Sequence, residues 1–249
     1  MNQVQASRFK DAPWYPKEQT IHVIVGGAGG IGSWLSLMLA RAGFQPIVFD
    51  FDNIEEHNIG GQLFTKEDAE KNAPKVEALK GLCKHFADVD IMANNMRYTK
   101  DSMSHHYVFS AFDNMQARKD MFANWKEYVK DWQDVNLVAG AEDKDKNIPI
   151  FVDGRLLMEQ LTIFCVTPET MEDYEQYLFD DSEVMEAPCT LKQTSHSAAM
   201  IASHMVGFFT NHYANNVIGE DDRIVPFKWE YFIPINYLNE EVNPIKQEQ

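Results

Sequence analysis

The 249-residue chain contains three cysteines, Cys83, Cys165 and Cys189, and no two of them form a CxxC pair. That spacing speaks against a disulfide framework and against a tetracysteine zinc site, so no zinc is expected and a reducing, cytoplasmic setting fits. No apolar run approaches the roughly twenty residues that cross a bilayer. The polar opening MNQVQASRFKD does not read as a signal peptide. Positive charge is scarce as well: 22 Lys and Arg face 38 Asp and Glu, a formal net charge of −16. Nucleic acids and membrane surfaces are anionic, so neither is expected as a partner. Any polyphosphate would have to be neutralised locally, by a few positioned Lys or Arg and a metal. There is no internal repeat and no low-complexity tract.

What the chain does have is a hydrophobic content of 45%, enough for a substantial core in one large α/β domain. It also has one sharply marked stretch, Ile21–Gly32. An apolar strand (Ile21, Val23, Ile24, Val25) runs into Gly27-x-Gly29-x-x-Gly32, with Gly30 inside the turn, and a helix follows over Ser33–Ala42. Glycines there let the backbone turn tightly, approach a phosphate with no Cβ in the way, and pack the helix on the strand. The free N–H groups and positive dipole end of the helix would then meet an anion. A second apolar strand, Pro46–Phe49, delivers Asp50, with Asp52 close behind, to where a carboxylate accepts hydrogen bonds from ribose hydroxyls. This is the pattern of an adenine-nucleotide site. On this feature alone a nicotinamide-dependent oxidoreductase would be the default reading.

The rest of the chain alternates strand and helix. Residues 1–20, with Trp14 and Tyr15 between Pro13 and Pro16, read as an arm that packs on the domain or on a second subunit. A polar loop follows Asp50. Pro74 opens a helix on which Val76, Leu79, Leu82, Cys83 and Phe86 recur at helical spacing. Asp90–Met96 and Tyr107–Phe112 read as strands, the latter ending on Asp113–Asn114. A helix runs from there to about Lys130. Ile148–Val152 is a strand, Asp153–Gly154 a turn, Leu161–Val166 another strand. Residues 168–193 form an acidic crossover segment within a nucleotide-binding domain taken as 21–215. Thr194–Asn215 is a helix, and residues 216–249 add a strand-like tail. The alternation implies a doubly wound, mainly parallel sheet with mixed C-terminal strands, and ligands at the carboxyl ends of the strands.

Beyond Asp50 the residues point further. The run D-F-D-x-I-x-x-x-N-I-x-x-Q-L-F, then Pro74-Lys75-Val76-Glu77, then Phe112-Asp113-Asn114-x-x-x-Arg118, resembles the MoeB/ThiF family of adenylating enzymes, relatives of the ubiquitin-activating enzymes. The resemblance extends from about Ile21 to Gly207 and implies a Rossmann-like fold and a homodimer. It also implies binding of ATP and Mg²⁺ and attack on the α-phosphate by a carboxylate. That carboxylate would be the C-terminal glycine of a small ubiquitin-like or sulfur-carrier protein. It further implies that Gly27–Gly32 holds the nucleotide, Asp50 the ribose and Lys75 the phosphates. Asn58 and Gln62 would line the phosphate region, and Asp113 would hold Mg²⁺, with Asn114 beside it. Read without the resemblance, Lys75 is equally a solvated helix-end lysine and Asp113 a plain helix N-cap.

Two departures from the family pattern bear on turnover. The loop reads Asn58-Ile59-Gly60-Gly61-Gln62, so Gly61 stands where the family carries an arginine on the triphosphate, and glycine cannot replace a bidentate, permanently charged contact. Arg8 in the arm, acting across a dimer, and Arg118 are the candidates to supply the charge; Arg118 is equally placed to pair with a surface carboxylate. A chain that binds nucleotide or carrier without adenylating it is therefore the rival reading. The zinc-binding CxxC pairs of many relatives are also missing. Cys189, just before the last helix, is either a cysteine that takes over the acyl group or sulfur, or a small structural residue. Cys83 and Cys165 lie on apolar-periodic segments and read as core. Among eight histidines, His105–His106 point apart and His196, His204 and His212 drift around a helix, so no metal beyond Mg²⁺ is expected.

Overall fold

The structure, a computed structural model, describes residues 9–16, 20–139, 147–180, 194–219 and 223–234. Strand β1 (His22–Gly26) is buried along its length after His22 and leads into helix α1 (Gly30–Ala42), which begins three residues before the sequence pattern suggests because the glycine turn itself supplies the first helical residues. Helix α1 stops at Gly43, whose φ of 101° is left-handed backbone that glycine adopts without strain. Strand β2 (Gln45–Asp50) follows. The segment after Asp50 is not a plain loop: it holds a 3₁₀ turn (Glu56–Asn58) and a short helix α2 (Lys66–Glu70), anchored by the fully buried Ile54 and by Phe64.

Helix α3 (Lys75–Ala87) buries Val76, Leu79 and Cys83, while Phe86 stays half exposed. Strands β3 (Met92–Asn95) and β4 (Tyr107–Ser110) are shorter than the apolar pattern suggests. Helix α4 (Met115–Val138) runs well past Lys130. Strand β5 (Ile150–Leu157) and strand β6 (Gln160–Val166) form a hairpin closed at Met158–Glu159. Asp153–Gly154 is therefore no turn; both residues lie inside β5. Helix α5 (Met171–Glu175), helix α6 (Ser195–Ile218) and strand β7 (Lys228–Phe232) complete the order.

The strands form one seven-stranded sheet in the order β3-β2-β1-β4-β5-β6-β7. The first five are parallel, and β6 is antiparallel to both of its neighbours, β5 and β7. Residues 228–232 thus extend the same sheet. Side chains alternate across it. Val23, Val25, Val48, Phe109 and Val152 pack with Leu35, Leu39, Leu79, Met205 and Phe209 on the side of α1, α3 and α6. Ile24, Ile47, Val108 and Phe151 pack with Met121, Phe122, Trp125 and Val129 of α4 on the other. A sheet covered on both faces needs nearly continuous apolar strands, which is what β1, β4 and the first half of β5 supply. Of the N-terminal arm, residues 9–16 lie on their own domain: Trp14 packs on the core and Tyr15 against Gly43. The order of the strands reverses between β1 and β4, so the crevice for a ligand lies at their carboxyl ends.

Candidate nucleotide site

Each glycine of the turn has its own reason to be there. Gly27 has a φ of +89° and lies against the Ala111 carbonyl. At Gly32 a Cβ would stand 1.9 Å from the Gly27 carbonyl oxygen, so the start of α1 and the turn can touch only without a side chain. At Gly29 a Cβ would meet nothing within 4 Å. That open side is where a phosphate would approach the end of α1. Gly30 is the buried first residue of that helix.

Around this turn the tertiary structure gathers residues far apart in sequence. The Asp50 carboxylate accepts from the Ala28 N–H at 2.7 Å and the Asp52 N–H at 2.8 Å. Partial burial raises its pKa above the usual carboxylate value, offset in part by those N–H groups and by the charge of Lys75. The Lys75 ammonium donates to Asp52 Oδ2 at 2.8 Å, and its backbone N–H to the Asp52 carbonyl at 2.9 Å. Lys75 is only 7% exposed, so it is not the solvated helix-end lysine that the sequence also allows. It points at the acidic pair from the first turn of α3.

The segment bearing Asn58 and Gln62 lies along α1. Trp34 Nε1 donates to the Gly61 carbonyl at 3.4 Å, and the Leu63 N–H donates to Ser33 Oγ at 3.0 Å. Asn58 is buried, with Oδ1 taken by the Glu55 N–H in a reciprocal cap of the 3₁₀ turn. Gln62 Oε1 is buried with no hydrogen-bond partner. Beyond β4, Asn114 caps α4 by accepting from the Ala117 N–H at 2.8 Å. The cap position is thus filled by Asn114, not by Asp113. Asp113, two residues past the Ala111 carbonyl that touches Gly27, is exposed, and its carboxylate accepts from Asn114 Nδ2 at 3.3 Å. A strand-end carboxylate not used as a cap is a suitable oxygen ligand for a hard cation. Among the described residues, no group of three or more His, Cys, Asp or Glu is placed to hold a metal ion.

The ThiF family's sequence model matches residues 2–213. The chain belongs to the ThiF family. It is 28% identical over 225 residues to the NEDD8-activating enzyme E1 catalytic subunit of Arabidopsis thaliana, covering 85% of this chain and 46% of that protein. The chain thus spans less than half the length of that relative. Among solved structures, E. coli MccB with ATP superposes with a TM-score of 0.63 at 15% identity, covering 95% of this chain and 70% of that one. PaaA superposes with a TM-score of 0.62, also at 15% identity, covering 94% and 67%. At that identity the likeness concerns the fold.

Arg118 departs from the surface pairing that the sequence allows for it. It is buried, and the carboxylate it meets is a buried one, not a surface one. Its guanidinium pairs with Asp153, which is fully buried, and also donates to the carbonyls of Phe112 and Gly154. Asp153 also accepts from Arg155 Nε at 2.7 Å and from the Tyr174 hydroxyl at 2.9 Å. Burial would raise the Asp153 carboxyl, but the two guanidinium charges and these hydrogen bonds hold it below the usual range. An Asp-Gly pair is a strong turn signal, which hid this carboxylate from a sequence reading. A second feature that the sequence did not flag is Arg97, whose guanidinium lies 4.1 Å from the centroid of Phe51, between Asp50 and Asp52.

Cys83 and Cys165 are buried, and burial pushes both thiols up to about 12. Both belong to the core, where their apolar-periodic segments put them. Cys189 and Arg8 lie outside the described residues. His196 contacts Thr194, His204 bonds the Met200 carbonyl and stacks on Trp229, and His212 bonds the Ile148 carbonyl. Among the described residues no helix is long and apolar enough to cross a membrane.

Proposed function

We propose that this ThiF-family chain is an ATP- and Mg²⁺-dependent adenylyltransferase. Its substrate would be a carboxylate, the C-terminal glycine of a small ubiquitin-like or sulfur-carrier protein. One observation carries the reading. The glycine turn, Asp50 and the Lys75–Asp52 pair meet at the carboxyl ends of β1 and β2, and Asp113, two residues past the Ala111 carbonyl that touches Gly27, is free of the helix cap. In the reaction a carboxylate oxygen attacks the α-phosphorus, and the bond to the bridging oxygen of the β-phosphate breaks. Acyl-adenylate and pyrophosphate are the products. The chemistry requires a neutralised triphosphate and an aligned carboxylate more than a protein nucleophile.

The residues divide that work. The N-terminal end of α1, open above Gly29, would receive phosphate oxygens. Asp50 would exchange its bond to the Ala28 N–H for ribose hydroxyls and so free that N–H for the nucleotide. Lys75 would turn from Asp52 toward the phosphates as a point charge. Gln62 would turn its side-chain amide into the crevice. Asp113 would hold Mg²⁺, which when bound neutralises phosphate charge. A homodimer and a cytoplasmic setting belong to the same reading, as does a role for Cys189 after adenylation.

The second reading, a nucleotide- or carrier-binding relative without turnover, is favoured by Gly61. ATP–pyrophosphate exchange with Mg²⁺ and a panel of carriers ending in glycine separates the two. For the enzyme, exchange appears and falls at least about 100-fold in Asp113→Ala, the scale of losing an electrostatic contact made in the transition state. Thermal stabilisation by ATP together with background exchange for every carrier favours the binding module. In that case Gly61→Arg should raise exchange.

A further inference from the structure

Asp113 has little of its own to hold it. Its side chain is exposed, with Asn114 Nδ2 at 3.3 Å. Where that carboxylate stands therefore depends on the backbone that carries it. The chain leading to it is held at two successive carbonyls. Gly27 presses on the Ala111 carbonyl, so close that a Cβ would come within 2.8 Å of its oxygen. The buried Arg118 guanidinium donates to the next carbonyl, that of Phe112, the acceptor of the peptide group that joins Phe112 to Asp113.

Arg118 is itself oriented from below. Asp153 pairs with it and is fully buried, and the Gly154 carbonyl accepts a further bond at 3.2 Å. The planar fork thus joins the carboxyl end of β4 to the middle of β5. Asp153 completes its set with Arg155 and Tyr174, and Arg155 reaches on to the Tyr177 carbonyl at 2.9 Å. The cluster has two halves: one grips the Asp113 backbone, the other grips residues 174–177. A buried ion pair contributes little to stability over well-packed apolar residues of the same volume. It does fix the angle and depth of the groups it joins, as an outer partner does for a metal ligand.

We propose that Arg118, oriented by Asp153, is a positioning residue that sets the Phe112–Asp113 peptide, and through it the carboxylate, to receive the metal–triphosphate. This rests on the adenylation reading. It assigns Arg118 no contact with phosphate, unlike an arginine meant to replace the one missing at Gly61.

The test compares Arg118→Lys with Tyr174→Phe in the full chain. Lysine keeps a positive charge beside Asp153 but cannot hold Asp153, Gly154 and Phe112 together in one plane. Tyr174→Phe removes a bond from the same buried cluster on its other half. The readouts are Mn²⁺ affinity in the presence of a non-hydrolysable ATP analogue, by electron paramagnetic resonance, thermal midpoint, and exchange rate at saturating Mg²⁺. Arg118→Lys should weaken Mn²⁺ binding by about 10-fold or more, the usual effect of losing an outer partner of a metal ligand. Tyr174→Phe should leave that affinity unchanged even where it lowers the thermal midpoint. Arg118→Gln, which also loses the three-way grip, gives the same comparison if the lysine variant does not fold. Wild-type Mn²⁺ affinity in a folded Arg118 variant with a lowered midpoint would overturn the proposal, because the cluster would then be structural only. Equal losses of affinity in Arg118→Lys and Tyr174→Phe would overturn it too. Absence of nucleotide-dependent Mn²⁺ binding in the unmodified chain would instead bring down the adenylation reading, and this proposal with it.

Discussion

Two glycines three residues apart in one motif have opposite physical reasons for being glycine. Gly32 is required by the fold, since a Cβ there would stand 1.9 Å from the Gly27 oxygen. Gly29 has nothing within 4 Å of the same position, so any requirement for it comes from the ligand. Gly32→Ala should therefore lower stability by about 1–3 kcal/mol or more through forced backbone movement. Gly29→Ala should stay within about 1 kcal/mol of the parent but lose ATP affinity by about 10-fold, or ~1.4 kcal/mol. Urea denaturation and ATP titration on both variants check the pair. Equal stability loss in both would mean that the turn tolerates no side chain for reasons of folding alone. The motif's spacing was legible in the sequence; which glycine serves the fold and which the ligand was not.

At the scale of elements, β5 shows how local signals are overridden. Asp153–Gly154 carries the composition of a turn, yet the strand continues through it to Leu157. Two guanidinium groups and a tyrosine hydroxyl satisfy the buried Asp153. Gly154 leaves room for α6, where a Cβ would lie 2.4 Å from Met205 Sδ. The chain instead reverses at Met158, a non-glycine residue with a φ of 55°. Left-handed backbone costs an ordinary residue about 1–2 kcal/mol. Met158→Gly should thus gain roughly 0.5–1 kcal/mol after glycine's own entropy cost, and Met158→Val should lose a similar amount. Denaturation midpoints of the two variants should move in opposite directions. Helix α4 exceeds its expected end for a related reason: residues beyond Lys130 have no apolar period to announce them, and Val135, Leu137 and Val138 are indeed exposed.

For the whole molecule, a buried histidine gives the fold an acid sensitivity. His212 is 5% exposed with Nε2 at 2.7 Å from the Ile148 carbonyl, and burial lowers its pKa to about 4. Between that value and its ordinary 6.5, the unfolded chain binds a proton that the native chain does not. Stability should thus fall as pH drops from about 6.5 to 4, by up to roughly 3 kcal/mol from this group. His105, lowered by burial and by its neighbours His106 and His22, acts in the same direction. Asp153, held below its ordinary value, keeps its stabilising contribution above pH 3.8 and loses it below. His212→Asn should flatten the slope of unfolding free energy between pH 7 and 4.5. An unchanged slope would show that His212 does not titrate with unfolding.

Much of the molecule was written locally. The strand–glycine turn–helix, Asp50 at the end of β2, the apolar faces of α3, α4 and α6, and the core cysteines all follow from short-range pattern, because burial on one helical face or on two sheet faces leaves a periodic trace. The family followed from the spacing of motifs at Gly27–Gly32, Asp50–Gln62, Lys75 and Asp113. What the tertiary structure alone decided concerns charges. A sequence cannot say whether Lys75 points to solvent or to Asp52, whether Asp113 or Asn114 caps α4, or that Arg118 and Asp153, 35 residues apart, are buried together. The partner of a charge is chosen by which strand ends the sheet order brings side by side. That order, with β1 beside β4 and β4 beside β5, exists only once the chain has folded.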